Sequence, residues 1–375
     1  MGIKPVSIAK ANRLCALVDL TDPAFGTHAI NLALARIVDG FALSEQYPDP
    51  IVYRHSRVLN VRENFDRLLF SQDLAVRTSL HTYYLTAETV LRSQTSSMIP
   101  LAFEGFGGQL SDDAVMCCPG ICFRNSRSGA LYSGEPHQVD IWRFTQHKYL
   151  DATSLDETVR DVIGFLFQDP NKEFECIELD KDTSRSHPYL SKVYKMRLRF
   201  KGQMVSIGEA GVVNGSFLKS LGLDSDAYSA IAIGVMLDRA VMMIKGLDHI
   251  KLLRDSDARV ARQMQNLNVY TPVSKYPSIT RDLSVVVKAP TMHKEITQIV
   301  NDALGETSEL LESMETISET PYDDLPKHVR ERLSMSPQDK NVLLRLTFCS
   351  LERTLRNDEV DTCMENVATA LHVQI

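Results

Sequence analysis

The sequence predicts an α+β protein of about two or three domains, and three observations carry that expectation. The chain has 375 residues, more than one small core needs. Its middle holds long stretches of alternating polar and apolar residues separated by short turns, the pattern of antiparallel strands. Its last hundred residues alternate strand-like and helix-like segments, which fits a small two-layer module.

Residues 1 to 25 read as a peripheral lead-in. HAINLALARIVDGF (28 to 41) has apolar residues at three- and four-residue steps and predicts an amphipathic helix. TYYLTAETVLRSQTS (82 to 96) reads as a second helix feeding a loop. CCPGICFRN and HQVDIWRFTQ are strands framing the turn-rich SRSGALYSGEP. YKMRLRF and MVSIGEAGVV are strands joined by the turn KGQ. DAYSAIAIGVMLDRAVMMIKGL begins as a strand and becomes a helix, with Asp238 and Arg239 at the join. NLNVYTPVSKYPSIT marks a boundary through its prolines and polar residues. RDLSVVVKA, HKEITQIVNDAL, NVLLRLTFCS and NDEVDTCMENVATAL then read as strand, helix, strand and helix. The expected division is a core over 1–265, a linker over 266–275 and a terminal module over 276–375.

Composition narrows the classes. Apolar residues make up 44%, charged residues 24%, and the formal charge is −7. There is no overall basic field, which disfavours an indiscriminate nucleic-acid binder but leaves room for a local basic face. No run of about twenty apolar residues is present, so no membrane span is expected. The start lacks a signal-peptide pattern, and Val6 stands where a myristoylation motif needs a hydroxyl residue. Seven scattered cysteines suggest reduced thiols and a cytoplasmic protein. Cys117, Cys118 and Cys122 lack a second cluster of zinc-ligand spacing.

Five ordered blocks add a resemblance. NFDRLLF, DLAVR and LRSQTS (64 to 96) resemble the start of the catalytic region in phenylalanyl-tRNA synthetases. FRNSRSGALYSGEPHQVD (123 to 140) is similar to motif 2 of that family. GVVNGSFLKSLGLD (211 to 224) follows. IGVMLDRAVMMIKGLDHIKLL (233 to 253) resembles motif 3. YPSITRDLSVVV, KNVLLRLTF and LERTLRNDEV (276 to 360) resemble the family's ferredoxin-fold anticodon-binding domain. The implied fold is a class II aminoacyl-tRNA synthetase antiparallel sheet with flanking helices, followed by a ferredoxin-like α/β sandwich. The arrangement looks most like the single-chain organellar type, which leaves an organellar matrix open as the compartment. Class II cores often pair, whereas the organellar form acts alone, so both monomer and homodimer stay open.

The implied chemistry is activation of an amino acid, phenylalanine in the family, by ATP with Mg2+, then transfer to tRNA; a paralogue using another amino acid or acceptor, or a non-catalytic tRNA-binding or regulatory protein on the same scaffold, is the alternative. Such a reaction runs on positioning and charge neutralisation. Arg124 is the candidate for the α-phosphate, because a guanidinium grips two oxygens in fixed geometry. Arg239 is the candidate for the γ-phosphate, and Arg127 for a phosphate or the acceptor stem. The resemblance places His137 near the phosphates and Gln138 in the amino-acid site, with Asp140 beside the substrate ammonium. Thr95 and Ser96 match a T-S pair beside the amino acid, with helix capping at a loop as the alternative. Arg92 reads as a site residue or a structural ion-pair partner. Tyr189, in HPYLS where the family has F-P-F-T, is a pocket wall or plain core. Ala210 and Gly211 would leave room for a ring. Asp238 and Glu209 complete the nucleotide side, and no protein-held metal cluster is expected. Lys288, Lys294, Arg345, Arg353 and Arg356 are candidate phosphate contacts for tRNA, or a solvated charged face.

Two departures fall in the site. The family's G-x-G-x-E-R reads Gly234 to Arg239 here, with Met236 in place of the second glycine. Its side chain either crowds the nucleotide or sits in the core. Ser206 stands where the family has a magnesium-binding acid, and Glu209 follows three positions later. An odd shift along a strand reverses facing, so Glu209 replaces that acid only if a bulge intervenes.

Overall fold

The computed structural model describes residues 3–106, 110–125, 129–146, 149–179, 187–291 and 293–374, with only the backbone described at 294 and 372–374. The chain divides into two compact units, residues 1–270 and 271–375.

The strands of the first unit are β1 (Ile51–Val52), β2 (Val58–Asn60), β3 (Thr89–Leu91), β4 (Asp113–Ile121), β5 (His137–Gln146), β6 (Glu175–Glu178), β7 (Leu190–Phe200), β8 (Gln203–Val213) and β9 (Tyr228–Met236). Seven of them form one sheet in the order β1-β4-β5-β9-β8-β7-β6; β2 and β3 pair separately. Only β1 runs parallel to its neighbour, β4. The sheet core gathers Phe65, Leu68, Met98, Phe103, Trp142, Phe144, Tyr189 and Phe217. Burying each such side chain contributes about 1.5–3 kcal/mol.

The helix Ala29–Leu43 forms as its periodicity predicts, burying Ala29, Ile30, Ala33, Leu34, Ile37 and Phe41. His28 caps it: the ring accepts the Ile30 N–H, and the Asn31 side chain accepts the His28 N–H. Helix Ala152–Phe167 packs on it, with Asp151 as the N-cap. The segment 82–96 is a correction. It forms a hairpin through the Tyr84–Val90 bridge and β3, then a short 3-10 turn, Thr95–Met98, rather than a helix. Thr86 Oγ1 accepts the N–H groups of Glu88 and Thr89, so a local side-chain turn outcompetes helical bonding.

The second unit is a three-stranded antiparallel sheet of β10 (Ile279–Lys288), β11 (Leu311–Pro321) and β12 (Asp339–Phe348), in the order β10-β12-β11. Helices His293–Leu304 and Asn357–Gln374 pack with it around Val285, Val287, Ile296, Val300, Leu344, Leu346, Val360 and Val367. Strand β11 is absent from the sequence reading. It carries Glu312, Glu315 and Glu319 and is mostly solvated, so its apolar alternation is weak.

Candidate active site

One cavity opens over the middle of the large sheet, where β5, β9 and β8 lie side by side. Register decides what faces it. Gln138 stands opposite Met236, Asp140 opposite Gly234, and Gly234 opposite Glu209. Alternation then turns Gln138 and Asp140 to the cavity and His137 away from it. The lining includes Ser96, Arg124, Gln138, Asp140, Tyr189, Glu209 and Arg239, together with Gln94, His187, Leu190, Ser206, Ala232 and Met236.

A bulge resolves the facing of Glu209. The β7–β8 register steps from Met196–Gly208 to Arg197–Ser206, leaving Ile207 as an extra residue on β8. Ser206 and Glu209 therefore share a face despite their odd spacing. Gly208, just past the bulge, sits against the next strand; a Cβ there would lie 1.9 Å from the Gly234 carbonyl oxygen.

The two lining arginines are held by neutral groups. Arg124 donates from Nε to the Ser93 carbonyl at 3.2 Å and from Nη2 to Gln138 Oε1 at 3.2 Å. Arg239 donates to the carbonyls of Leu131 at 3.0 Å and Ser206 at 2.8 Å, and its guanidinium lies 4.5 Å over the Tyr132 ring. Met236 is not a core residue: its sulfur lines the cavity and accepts the Gln138 Nε2–H at 2.7 Å.

On the other side, Asp140 is deeply buried. Burial pushes its carboxyl up, opposed by donors on both oxygens. Ser96 donates to Oδ1 at 2.7 Å, Thr95 to Oδ2 at 2.5 Å, and the Trp142 indole N–H reaches Oδ1 at 3.4 Å. Tyr189 lies among Trp142 and Phe217, with its hydroxyl 3.1 Å from Ser96 Oγ. Burial pushes the Glu209 carboxyl up too. The His187 hydrogen bond, with the charges of His187, Lys195 and Arg124, outweighs it and holds the group below its usual range.

Several sequence candidates lie elsewhere. His137 is 0% exposed. Its backbone N–H donates to Asp238 Oδ2, its Nδ1 pairs with Asp238 Oδ1 at 3.0 Å, and its Nε2 accepts the Leu20 N–H at 3.2 Å and meets Arg254 at 2.8 Å. Both ring nitrogens are engaged, so His137 cannot touch a phosphate, and Asp238 is spent on the same clamp. Arg92, 1% exposed, is locked onto the Ile121 carbonyl and Met98 sulfur; a Cβ at Gly120 would stand 2.0 Å from its guanidinium. Thr95 is fully buried and reaches the cavity only through Asp140. Ala210 and Gly211 do not line the pocket. Ala210 points to the opposite face, and Gly211 is small because the Lys192 carbonyl crosses 2.3 Å from where its Cβ would be. Small residues lining the cavity are Gly208, Ala232 and Gly234. Arg127 lies outside the described residues. Sequence reasoning missed His187 and Trp142. The signal for His187 was its place at the head of HPYLS.

Among the described residues no three carboxylate, imidazole or thiolate groups converge on a metal-sized point. Glu209 and the Ser206 hydroxyl are oxygen donors on the β8 side of the cavity. Such a sparse set suits Mg2+, which keeps most ligands from water and substrate phosphates. Burial pushes the Cys117 and Cys122 thiols up to about 12, so they remain thiols.

A long antiparallel sheet carrying paired arginines and a buried carboxylate, with a separate ferredoxin-like unit after it, defines a class II synthetase architecture. The model of the tRNA synthetase class II core domain (F) matches residues 23–264, and that of the ferredoxin-fold anticodon binding domain matches 274–375. The chain belongs to the class II tRNA synthetase core family. It is similar to the phenylalanine–tRNA ligase alpha subunit of Acaryochloris marina, 26% identical over 53% of this chain and 56% of that one. It is also similar to the mitochondrial phenylalanine–tRNA ligase of Dictyostelium discoideum, 21% identical over 84% of this chain and 75% of that one. The alpha subunit of Chlamydia felis is 27% identical over 64% and 68%. The chain spans little more than half the length of the first of these curated relatives. No described helix is long and apolar enough to cross a membrane.

Proposed function

We propose that the chain activates an amino acid with ATP and Mg2+, phenylalanine by its relatives, and transfers it to tRNA. One observation carries this reading. Arg124 and Arg239, both held by neutral groups, share a single cavity with the Asp140–Ser96 pair. Guanidinium groups beside a buried carboxylate suit a substrate that is anionic at one end and carries an ammonium at the other. Arg124 neutralises the phosphate that the amino-acid carboxylate attacks, and Arg239 holds the rest of the triphosphate. Asp140 fixes the ammonium. Glu209 and Ser206 would hold Mg2+ from the protein side, and the ion would supply neutralising charge to the triphosphate.

The C-terminal unit contacts tRNA on this reading, and the protein works in the cytoplasm or an organellar matrix as a monomer or homodimer. The domain boundary is proposed within 266–275. Trp142 favours a second reading, activation of a different amino acid. Its indole, paired across from Ala232, fills ring-sized space beside Asp140. ATP–pyrophosphate exchange measured with each of the twenty amino acids tests both. Exchange with phenylalanine alone supports the first, exchange with another amino acid the second. Absence of exchange with all twenty, with no nucleotide binding, overturns activation.

A further inference from the structure

Five side chains form a continuous hydrogen-bonded run across the cavity from β8 to β5. Glu209 Oε2 lies 2.6 Å from His187 Nε2, and His187 Nδ1 lies 2.9 Å from the Tyr189 hydroxyl. Tyr189 lies 3.1 Å from Ser96 Oγ, and Ser96 donates to Asp140 Oδ1 at 2.7 Å. The run passes through side chains alone, so it joins the nucleotide side of the cavity to the ammonium side without passing through the sheet.

The direction of each bond follows from donor counting. Both ends are carboxylates and only accept. Ser96 has one proton and gives it to Asp140, so its oxygen is left to accept from Tyr189. Tyr189 gives its one proton to Ser96, so its oxygen accepts from His187 Nδ1. Glu209 takes the Nε2 proton. Tyr189 is 3% exposed and wedged among Trp142 and Phe217, and the His187 ring stands edge-on to it at 84°, so neither ring is placed to pivot.

We infer that His187 is a positioning residue of the amino-acid site. By bridging Glu209 and Tyr189 it fixes the direction of the Tyr189 and Ser96 hydroxyls, and so holds Asp140 aimed at the substrate ammonium. This rests on the reading that the cavity activates an amino acid. Without the imidazole, the Ser96 proton is free to turn to Tyr189, and Asp140 loses a directed donor. The recognition of the ammonium is then no longer preorganised.

The test is ATP–pyrophosphate exchange titrated separately in phenylalanine and ATP for wild type, His187→Phe and His187→Gln. Phenylalanine at 187 keeps a ring and removes both hydrogen bonds. The glutamine NH2 carries two N–H donors, one for the Tyr189 oxygen and one for Glu209, and so keeps the direction of the run. The expected result is a KM for phenylalanine raised about tenfold in His187→Phe, with a smaller rise of about threefold in the KM for ATP, because Glu209 loses its partner as well. His187→Gln recovers to within about threefold of the wild-type value. An unchanged phenylalanine KM in His187→Phe overturns the inference, as does an equal rise in both KM values or failure of glutamine to rescue. Where wild type exchanges only with another amino acid, the same titration is made with that one. No exchange by wild type with any amino acid overturns the activation reading, and the inference with it; exchange by wild type with an unmoved KM in His187→Phe overturns the inference alone.

Discussion

The arginines of the two units are held in opposite ways. In the cavity, Arg124 and Arg239 rest on carbonyls, an amide and an aromatic ring, and no described carboxylate bonds to either guanidinium directly. In the C-terminal unit the candidate RNA contacts are neutralised by neighbours. Arg345 grips Asp282 through two bonds of 2.8 Å, Arg353 grips Glu359, Arg356 meets Asp358, and Lys288 meets Asp339. The Lys294 side chain lies outside the described residues. Residues 271–375 hold eleven basic and seventeen acidic residues, so −6 of the total −7 falls there. A cation held by dipoles is ready for an anion, whereas one held by a carboxylate must first give up its partner. The sequence counts both kinds as candidate phosphate contacts. Only the structure separates them.

The largest expected effect tests the cavity side of this contrast. Arg124→Ala lowers kcat/KM in ATP–pyrophosphate exchange by about 10²–10³-fold, while the melting temperature stays near wild type. Retained turnover would mean that this guanidinium is not the phosphate contact.

Acid separates the units next. Burial, first among its causes, lowers His28 to about 4, against the Leu253 carbonyl that raises it. A histidine depressed in the fold binds its proton more readily when unfolded. Its contribution is therefore complete above about pH 6.5 and is lost as pH falls toward 4. The loss amounts to about 3 kcal/mol at most. In the C-terminal unit, Lys288 holds Asp339 down to about 2 and Arg353 holds Glu359 down to about 2. Those contributions are present above the ordinary carboxylate range and fade only as pH falls from about 4.5 toward 2. Protection against hydrogen exchange, corrected for the intrinsic rate at pH 7.5, 5 and 3.5, is expected to fall in helix Ala29–Leu43 before it does so around β12. The reverse order would remove His28 from the account.

The smallest effect concerns RNA. Asp282→Asn releases Arg345, and tRNA affinity is expected to rise about threefold, with the salt dependence of log K steepening by about 0.7–0.9. An unchanged slope in a filter-binding series would place the RNA contact elsewhere.

Legibility in the sequence followed the range of the interactions. The helix Ala29–Leu43, strands β4, β5, β7, β8 and β9, and the terminal helices were readable because periodicity is a local property. The hairpin at 82–91 was misread because a single threonine hydroxyl decides it. Arg124, Gln138, Asp140 and Arg239 are brought to one cavity, whereas His137 and Asp238, adjacent in sequence to two of them, are sealed into a clamp beneath. His137 and Gln138 face opposite ways on β5, and Asp238 and Arg239 point about 100° apart on the helix Leu237–Lys245, so a matched motif does not say which residue lines the cavity.

The sequence by itself determined the class II core, the ferredoxin-like unit and the pool of charged residues, because these rest on patterns and blocks carried along the chain. Tertiary structure decided which of those residues meet. The one-residue bulge at Ile207 turns Glu209 into the cavity beside Ser206, and the fold then brings His187 between Glu209 and Tyr189. Neither event has a local sequence signature, since each depends on the register of a strand against its neighbour and on side chains far apart in the chain.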